Sequence, residues 1–232
     1  MTALGFVLAQ TADFDDAQAV VFLHTNTFDN TIGACVAVAI SKTVLVTSAE
    51  CVAASLSKNK LPNNRVLLGS ANPSLGIKVA ENNAANFDKI AGANTYNPSD
   101  IIIHENYNPL TKADNIALLI VSNTPAKISK VSVQELDAYS SVLAVGVGQT
   151  LPSKQNTSPA LNSTNIAVYP EQTCKDILTS FSSTDFRTIC AGAQTSICGL
   201  DGAVFLPAAN SYVLYAVGSF TGTPKQPHSW VL

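Results

Sequence analysis

Short runs rich in Val, Ile, Leu and Thr recur along the chain, at Ala19 to His24, Ala37 to Thr47, Arg65 to Leu68, Ile101 to Ile103, Ile116 to Val121, Val142 to Val147, Asn165 to Val168 and Tyr212 to Val217. Between them stand turn-forming clusters such as Lys58 to Asn64 and Thr150-Leu151-Pro152-Ser153, in which Pro, Asn and Ser stop a strand and reverse the chain. Many strands without regularly alternating helices point to a sandwich or a barrel rather than a parallel α/β sheet. Short helices are predicted only at Glu50 to Leu56 and at Pro170 to Leu178, where Glu171, Cys174 and Leu178 recur at helical spacing. No internal repeat or low-complexity tract is visible. Asn123 to Ile128, which contains Pro125, best fits a linker between two halves.

The 232 residues can bury one large all-β core or two smaller ones. Only 12% are charged and the formal net charge is -3, so the footprint needed to hold phosphate backbones or anionic lipid is missing, and neither nucleic acid nor membrane is expected as a partner. The apolar stretch from Val36 to Val46 is broken by Ser41-Lys42-Thr43, too early for a spanning helix, and a soluble protein is expected. Ala3 to Ala9 is too short and lacks the cationic start of a secretory signal; it reads as an N-terminal arm or edge strand.

Cysteines stand at 35, 51, 174, 190 and 198. The number is odd and no spacing resembles a zinc ligand set, so neither metal nor cofactor is expected. Two local pairs with one cysteine left over is the economical arrangement, and it points to an oxidising compartment. Two glycosylation acceptor patterns, beginning at Asn156 and Asn162, lie in a polar stretch that reads as an exposed loop, in keeping with a secreted, extracellular protein.

Three blocks carry a resemblance. From Cys35 the chain reads CVAVAISKTVLVTSAEC, ending at Cys51, similar without a gap to the CGGSLISxxWVLTAAHC stretch of chymotrypsin-like (trypsin family) serine proteases. Ile102 to Leu119 resembles that family's IIxHPxYNxxTxxNDIALL. Thr188-Ile189-Cys190-Ala191-Gly192, with Ser196 to Leu206 after it, resembles MICAG followed by DSCQGDSGGPL. The resemblance runs from about Ala19 to Val231. It implies an all-β fold of two packed six-stranded Greek-key β-barrels with few short helices, an N-terminal arm and first barrel over residues 1–127 and a second barrel over 128–232. It further implies disulfides Cys35–Cys51 and Cys174–Cys190, and leaves Cys198, which lacks the family's late partner, as a free buried thiol. Leu232 follows soon after Pro227, so the family's C-terminal helix is expected to be absent or truncated.

At the three positions where the family places its catalytic histidine, aspartate and serine, this chain has Glu50, Asn115 and Gly202. Asp114 sits one residue early, on the opposite face if the segment is extended. Without a hydroxyl nucleophile, an imidazole or an orienting carboxylate, peptide hydrolysis by this scaffold has no route. Asn115 is expected to relieve repulsion between two carboxylates and to donate its amide to Glu50; an alternative is a Glu50 that simply faces water. Asp201, before the lost serine, is retained and needs a substitute cationic or hydrogen-bonding partner. Ser196 at the pocket base and Gly218 beside it leave a neutral vestigial pocket, and Leu200 replaces the glycine of the oxyanion loop.

The resemblance therefore implies a catalytically inactive homologue that acts by binding another secreted protein, as decoy, inhibitor or cascade cofactor. Secreted glucanase inhibitors are one group built this way, and a hydrolase is then the expected partner. The alternative is a hydrolase with relocated carboxylates, Glu50 and Asp114, since paired carboxylates serve glycoside cleavage.

Overall fold

The structure, a computed structural model, describes residues 10–11, 19–26, 32–56, 65–67, 95–96, 98–123, 127–149, 162–177, 188–192, 198–209, 211–218 and 228–231. The first half contains β2 (Val20–Asn26), β3 (Ile32–Ala39), β4 (Val44–Thr47), α1 (Ala49–Leu56), β5 (Arg65–Leu67), β6 (Thr95–Tyr96), β7 (Asp100–Ile103) and β8 (Ala117–Ile120). The second contains β9 (Ser141–Gln149), β10 (Asn162–Val168), α2 (Glu171–Ile177), β11 (Thr188–Gly192), β12 (Cys198–Ala208), β13 (Ser211–Gly218) and β14 (His228–Val231). A short β1 (Gln10–Thr11) precedes both and crosses over, pairing with β10 of the second sheet.

In the first sheet the order is β6-β5-β2-β3-β4-β8-β7. Its two edge strands are consecutive in the chain, with only residues 97–99 between them, so the two edges lie close together and the sheet curls back on itself. The second sheet runs β10-β11-β14-β13-β12-β9 and closes through a β9–β10 pairing. When β6 and β7 are counted as one broken strand, both halves follow the same circular order: first, second, third, sixth, fifth, fourth. In each, the fourth strand returns beside the first, which is a Greek key. The two expected six-stranded barrels are therefore present, and they share a plan that no sequence repeat announces.

The β-branched runs form strands because alternate residues reach a dry interior. β8 alternates buried and half-buried positions, with Ala117 and Leu119 turned inward. Three apolar clusters result. One lies within the first barrel around Leu45, Val52 and Leu119, and one within the second around Ile166, Val204 and Tyr215. The third joins them: Val20, Val36, Val38 and Val46 pack with Leu143, Val145, Ala203, Phe205, Leu214 and Val217.

Two sequence expectations change. The run from Ala37 to Thr47 is two strands rather than one, because the backbone N–H groups of Ile40 and Ser41 both turn back to the Val44 carbonyl, at 3.1 and 3.2 Å. Asn162-Ser163-Thr164, read as exposed loop, instead opens β10, paired with β9 along its length, and Thr164 is buried. The polar residues misled the reading because strand pairing, not composition, decided their burial. Asn156 and Ser196 lie outside the described residues.

The connector between the halves is tied to both. The Ser129 N–H donates to the Ala39 carbonyl of β3 at 2.8 Å, while its buried hydroxyl accepts from the Leu214 N–H of β13 at 3.2 Å. Leu214 also donates to the Lys130 carbonyl at 2.8 Å and accepts from the Ser132 N–H at 2.9 Å, forming a parallel bridge at Val131.

Candidate functional site

Helix α1 begins directly after Ser48, a residue type suited to the N-cap position. Ser48 is buried and its hydroxyl donates to Cys51 Sγ at 2.9 Å. Glu50 occupies the first turn, where a carboxylate is favoured by the positive end of the helix. The backbone N–H of Glu50 is one of the donors a helix start cannot satisfy internally. Asn115, buried just before β8, fills that need: its Oδ1 accepts the Glu50 N–H at 2.8 Å. Residues 50 and 115 thus meet through backbone and amide oxygen.

The Glu50 side chain has a partner the sequence reading did not single out. Lys112 Nζ donates to Glu50 Oε1 at 2.7 Å, with each side chain roughly one-third exposed or less. The Tyr107 phenol stands close enough to favour the Lys112 charge. Burial alone would lower the Lys112 pKa, but the hydrogen bond and charge of Glu50, with help from Tyr107, outweigh it and raise the pKa above the ordinary lysine value. Burial likewise raises the Tyr107 phenol, with the Lys112 charge opposing it. At neutral pH Lys112 is an ammonium without a lone pair for attack.

The loop that delivers Lys112 is built around Asn108. The Asn108 side-chain oxygen accepts from the N–H groups of Leu110 and Thr111 at 2.9 and 3.2 Å, and its carbonyl accepts from Lys112 N–H at 2.8 Å. Two non-glycine residues there adopt left-handed conformations, Lys112 at φ 60° and Asp114 at φ 50°. Because Asp114 is left-handed rather than extended, simple alternation does not decide its direction. Its carboxylate lies 3.8 Å from His104 Nδ1, a different partner from that of Glu50.

Gly202 is an interior residue of an 11-residue strand. It pairs with Gly146 of β9 on one side and with Gly218 of β13 on the other, so three buried residues without side chains stand in a row across three strands. A Cβ added at Gly202 would drive into the Val145 carbonyl oxygen and stand 3.0 Å from Gly146 Cα. With strands on both flanks, the backbone N–H and C=O of Gly202 lie in the plane of the sheet and face one of the two neighbours. Leu200 and Asp201 belong to the same strand, whose register against β9 shifts between Cys198 and Asp201. Ala203 packs in the cluster that joins the barrels, with Val36 and Val46.

Both expected disulfides are formed. Cys35–Cys51 ties β3 to α1 and Cys174–Cys190 ties α2 to β11, with Cα separations of 6.1 and 6.0 Å. Cys198 opens β12, opposite Gln149. Among the described residues, no group of three or more His, Cys, Asp and Glu is placed to hold a metal ion, and no helix is long and apolar enough to cross a membrane.

A family model described as Trypsin matches residues 9–202. The chain belongs to the trypsin family. The trypsin-family fold is seen again in a solved structure described as "Structure of GrC", with a TM-score of 0.71 over 96% of this chain and 92% of that one, at 15% identity. At that identity the likeness is one of fold. No curated protein matches the chain. A trypsin-family domain with two disulfides is typical of secreted proteins.

For this trypsin-family chain, the structure brings two of the three singled-out positions, Glu50 and Asn115, into direct hydrogen-bonded contact. Lys112 and Tyr107 are the members that sequence reasoning missed. A signal existed: Lys112 is the sole Lys or Arg between Asp100 and Val121, and a half-buried glutamate needs a cation.

Proposed function

We propose that the chain is a secreted trypsin-family pseudoprotease that cleaves no peptide bond and acts by binding another secreted protein. The observation that carries this reading is the environment of Gly202. The residue in the place of the nucleophile has no hydroxyl, its strand leaves no room for a Cβ beside Val145, and it stands inside the sheet between two paired strands. An acyl-enzyme needs a nucleophile and an oxyanion needs free N–H donors. Loss of the nucleophile or base alone costs about a millionfold in a comparable hydrolase. The ammonium-carboxylate pair of Lys112 and Glu50 supports the same conclusion, because it fills the base position with a neutralised ion pair.

Binding is favoured over an inert role because two barrels strapped together form a firm scaffold, and loops on such scaffolds carry recognition. A secreted hydrolase is the proposed partner, with inhibition or decoy action as the outcome. The test has two arms on the purified full-length chain. A fluorophosphonate probe and peptide-ester substrates are expected to give no labelling and no turnover, and stoichiometric labelling overturns the reading. Titration into secreted proteases and glucanases is expected to reduce the rate of at least one; no binding to any hydrolase would remove the proposed partner class.

A further inference from the structure

The connector between the barrels carries a feature that the binding role above does not use. Among the described residues, six large apolar side chains are exposed, and four of them, Ile128, Val131, Val133 and Tyr139, belong to this one stretch. Val133 is 86% exposed, more than a solvated strand face requires. The parallel bridge uses the Lys130 carbonyl and the Ser132 N–H to hold Leu214. The N–H and C=O of Val131 are thereby turned to the opposite edge, and among the described residues they have no hydrogen-bond partner. An apolar edge with unused donors and acceptors is a template for another strand.

Charge decides which strand. Lys127 and Lys130 precede the valines, and Glu135 and Asp137 follow them, all exposed. A strip that is basic at one end and acidic at the other matches its own reverse. A strip of one sign would instead select a partner of the other sign. We propose that the connector is a self-association edge, where a second copy of the chain lies antiparallel about a twofold axis near Ser132, valine against valine, with the Lys130 end of each copy over the Glu135 end of the other. Such a contact is isologous and closes as a dimer. The strip is short, so the dimer is weak, with a dissociation constant on the order of micromolar or above. It does not depend on whether the chain hydrolyses peptides.

Sedimentation velocity on the full chain tests this, over roughly 1 to 200 µM to bracket that affinity. A reversible monomer–dimer equilibrium is expected. Lys130→Glu and Glu135→Lys should each raise the dissociation constant at least about tenfold through like-charge contact. Mixing these two variants should give a heterodimer tighter than either homodimer, and placing both changes in one chain should restore the original affinity. Val133→Lys, at an exposed position that leaves the fold intact, should abolish the dimer. A monomer throughout, as expected if a different protein occupies this edge, overturns the proposal. So does a dimer indifferent to the charge reversals or a mixture without heterodimer enrichment. An unchanged thermal midpoint for each variant shows that the fold is not the cause.

Discussion

The two barrels follow one strand order, yet the positions singled out in each are built in opposite ways. In the first they carry interacting side chains: Asn115 caps α1, and Glu50 is neutralised by Lys112. In the second, side chains are absent, and Gly146, Gly202 and Gly218 lie abreast across three strands. Positions that look alike in the sequence are therefore unlike in physical terms. One group is a polar cluster that tolerates adjustment at its exposed rim. The other is a backbone arrangement with no space left in it.

The comparison is broken most directly by Gly202→Ser. The new side chain must displace the Val145 carbonyl, so a loss of about 3 kcal/mol or more is expected in chemical denaturation, with no gain of fluorophosphonate labelling. A variant as stable as the parent would show that the second barrel is not closed around its glycine. Next come the disulfides. Both bridge residues 16 apart, so the loop-entropy account gives about 3 kcal/mol for each. Replacing Cys35 and Cys51 together, or Cys174 and Cys190 together, with alanine should therefore lower stability by similar amounts. A clear inequality would show which barrel carries more of the stability.

Smaller effects are expected in the polar cluster of the first barrel. Asn115→Ala leaves the Glu50 N–H without its acceptor and should cost about 1–2 kcal/mol, and Asn115→Asp, which keeps an acceptor but buries a second carboxylate beside Glu50, should cost no less. Lys112→Met should cost only about 0.2–1 kcal/mol, since the pair with Glu50 is partly exposed and screened. The raised lysine pKa means the folded chain holds this proton more tightly than the unfolded one. That contribution is complete below the unfolded value and is lost as pH rises beyond about 10. The stability gap between parent and Lys112→Met should therefore narrow in alkali and persist at neutral pH, as followed by urea titrations across that range.

Much of the fold was legible because cysteine-framed apolar runs are local signals. The strands at Ala19 to His24, Ile116 to Val121 and Tyr212 to Val217 formed within a residue or two of their expected limits. β12 was not read as a strand at all, since its opening Cys198-Gly199-Leu200-Asp201-Gly202 carries two glycines and an aspartate, residue types that strands disfavour. Pairing with β9 and β13 overrides that preference. β11 and β14 were missed for a related reason: each is short and takes its order from the strands beside it. Lys112 was hidden differently. It lies 62 positions from Glu50, and only the left-handed turn at the end of the Asn108 loop carries it there.

Ser129 has a mechanical consequence. One residue fastens its amide to the first barrel and its hydroxyl to the second, so prying the halves apart must rupture one of these fastenings along with the valine seam between them. Amide exchange at Ser129 and Leu214 should then keep pace with global unfolding rather than with local breathing. The molecule would behave as one rigid body under load, despite being drawn from two copies of one blueprint.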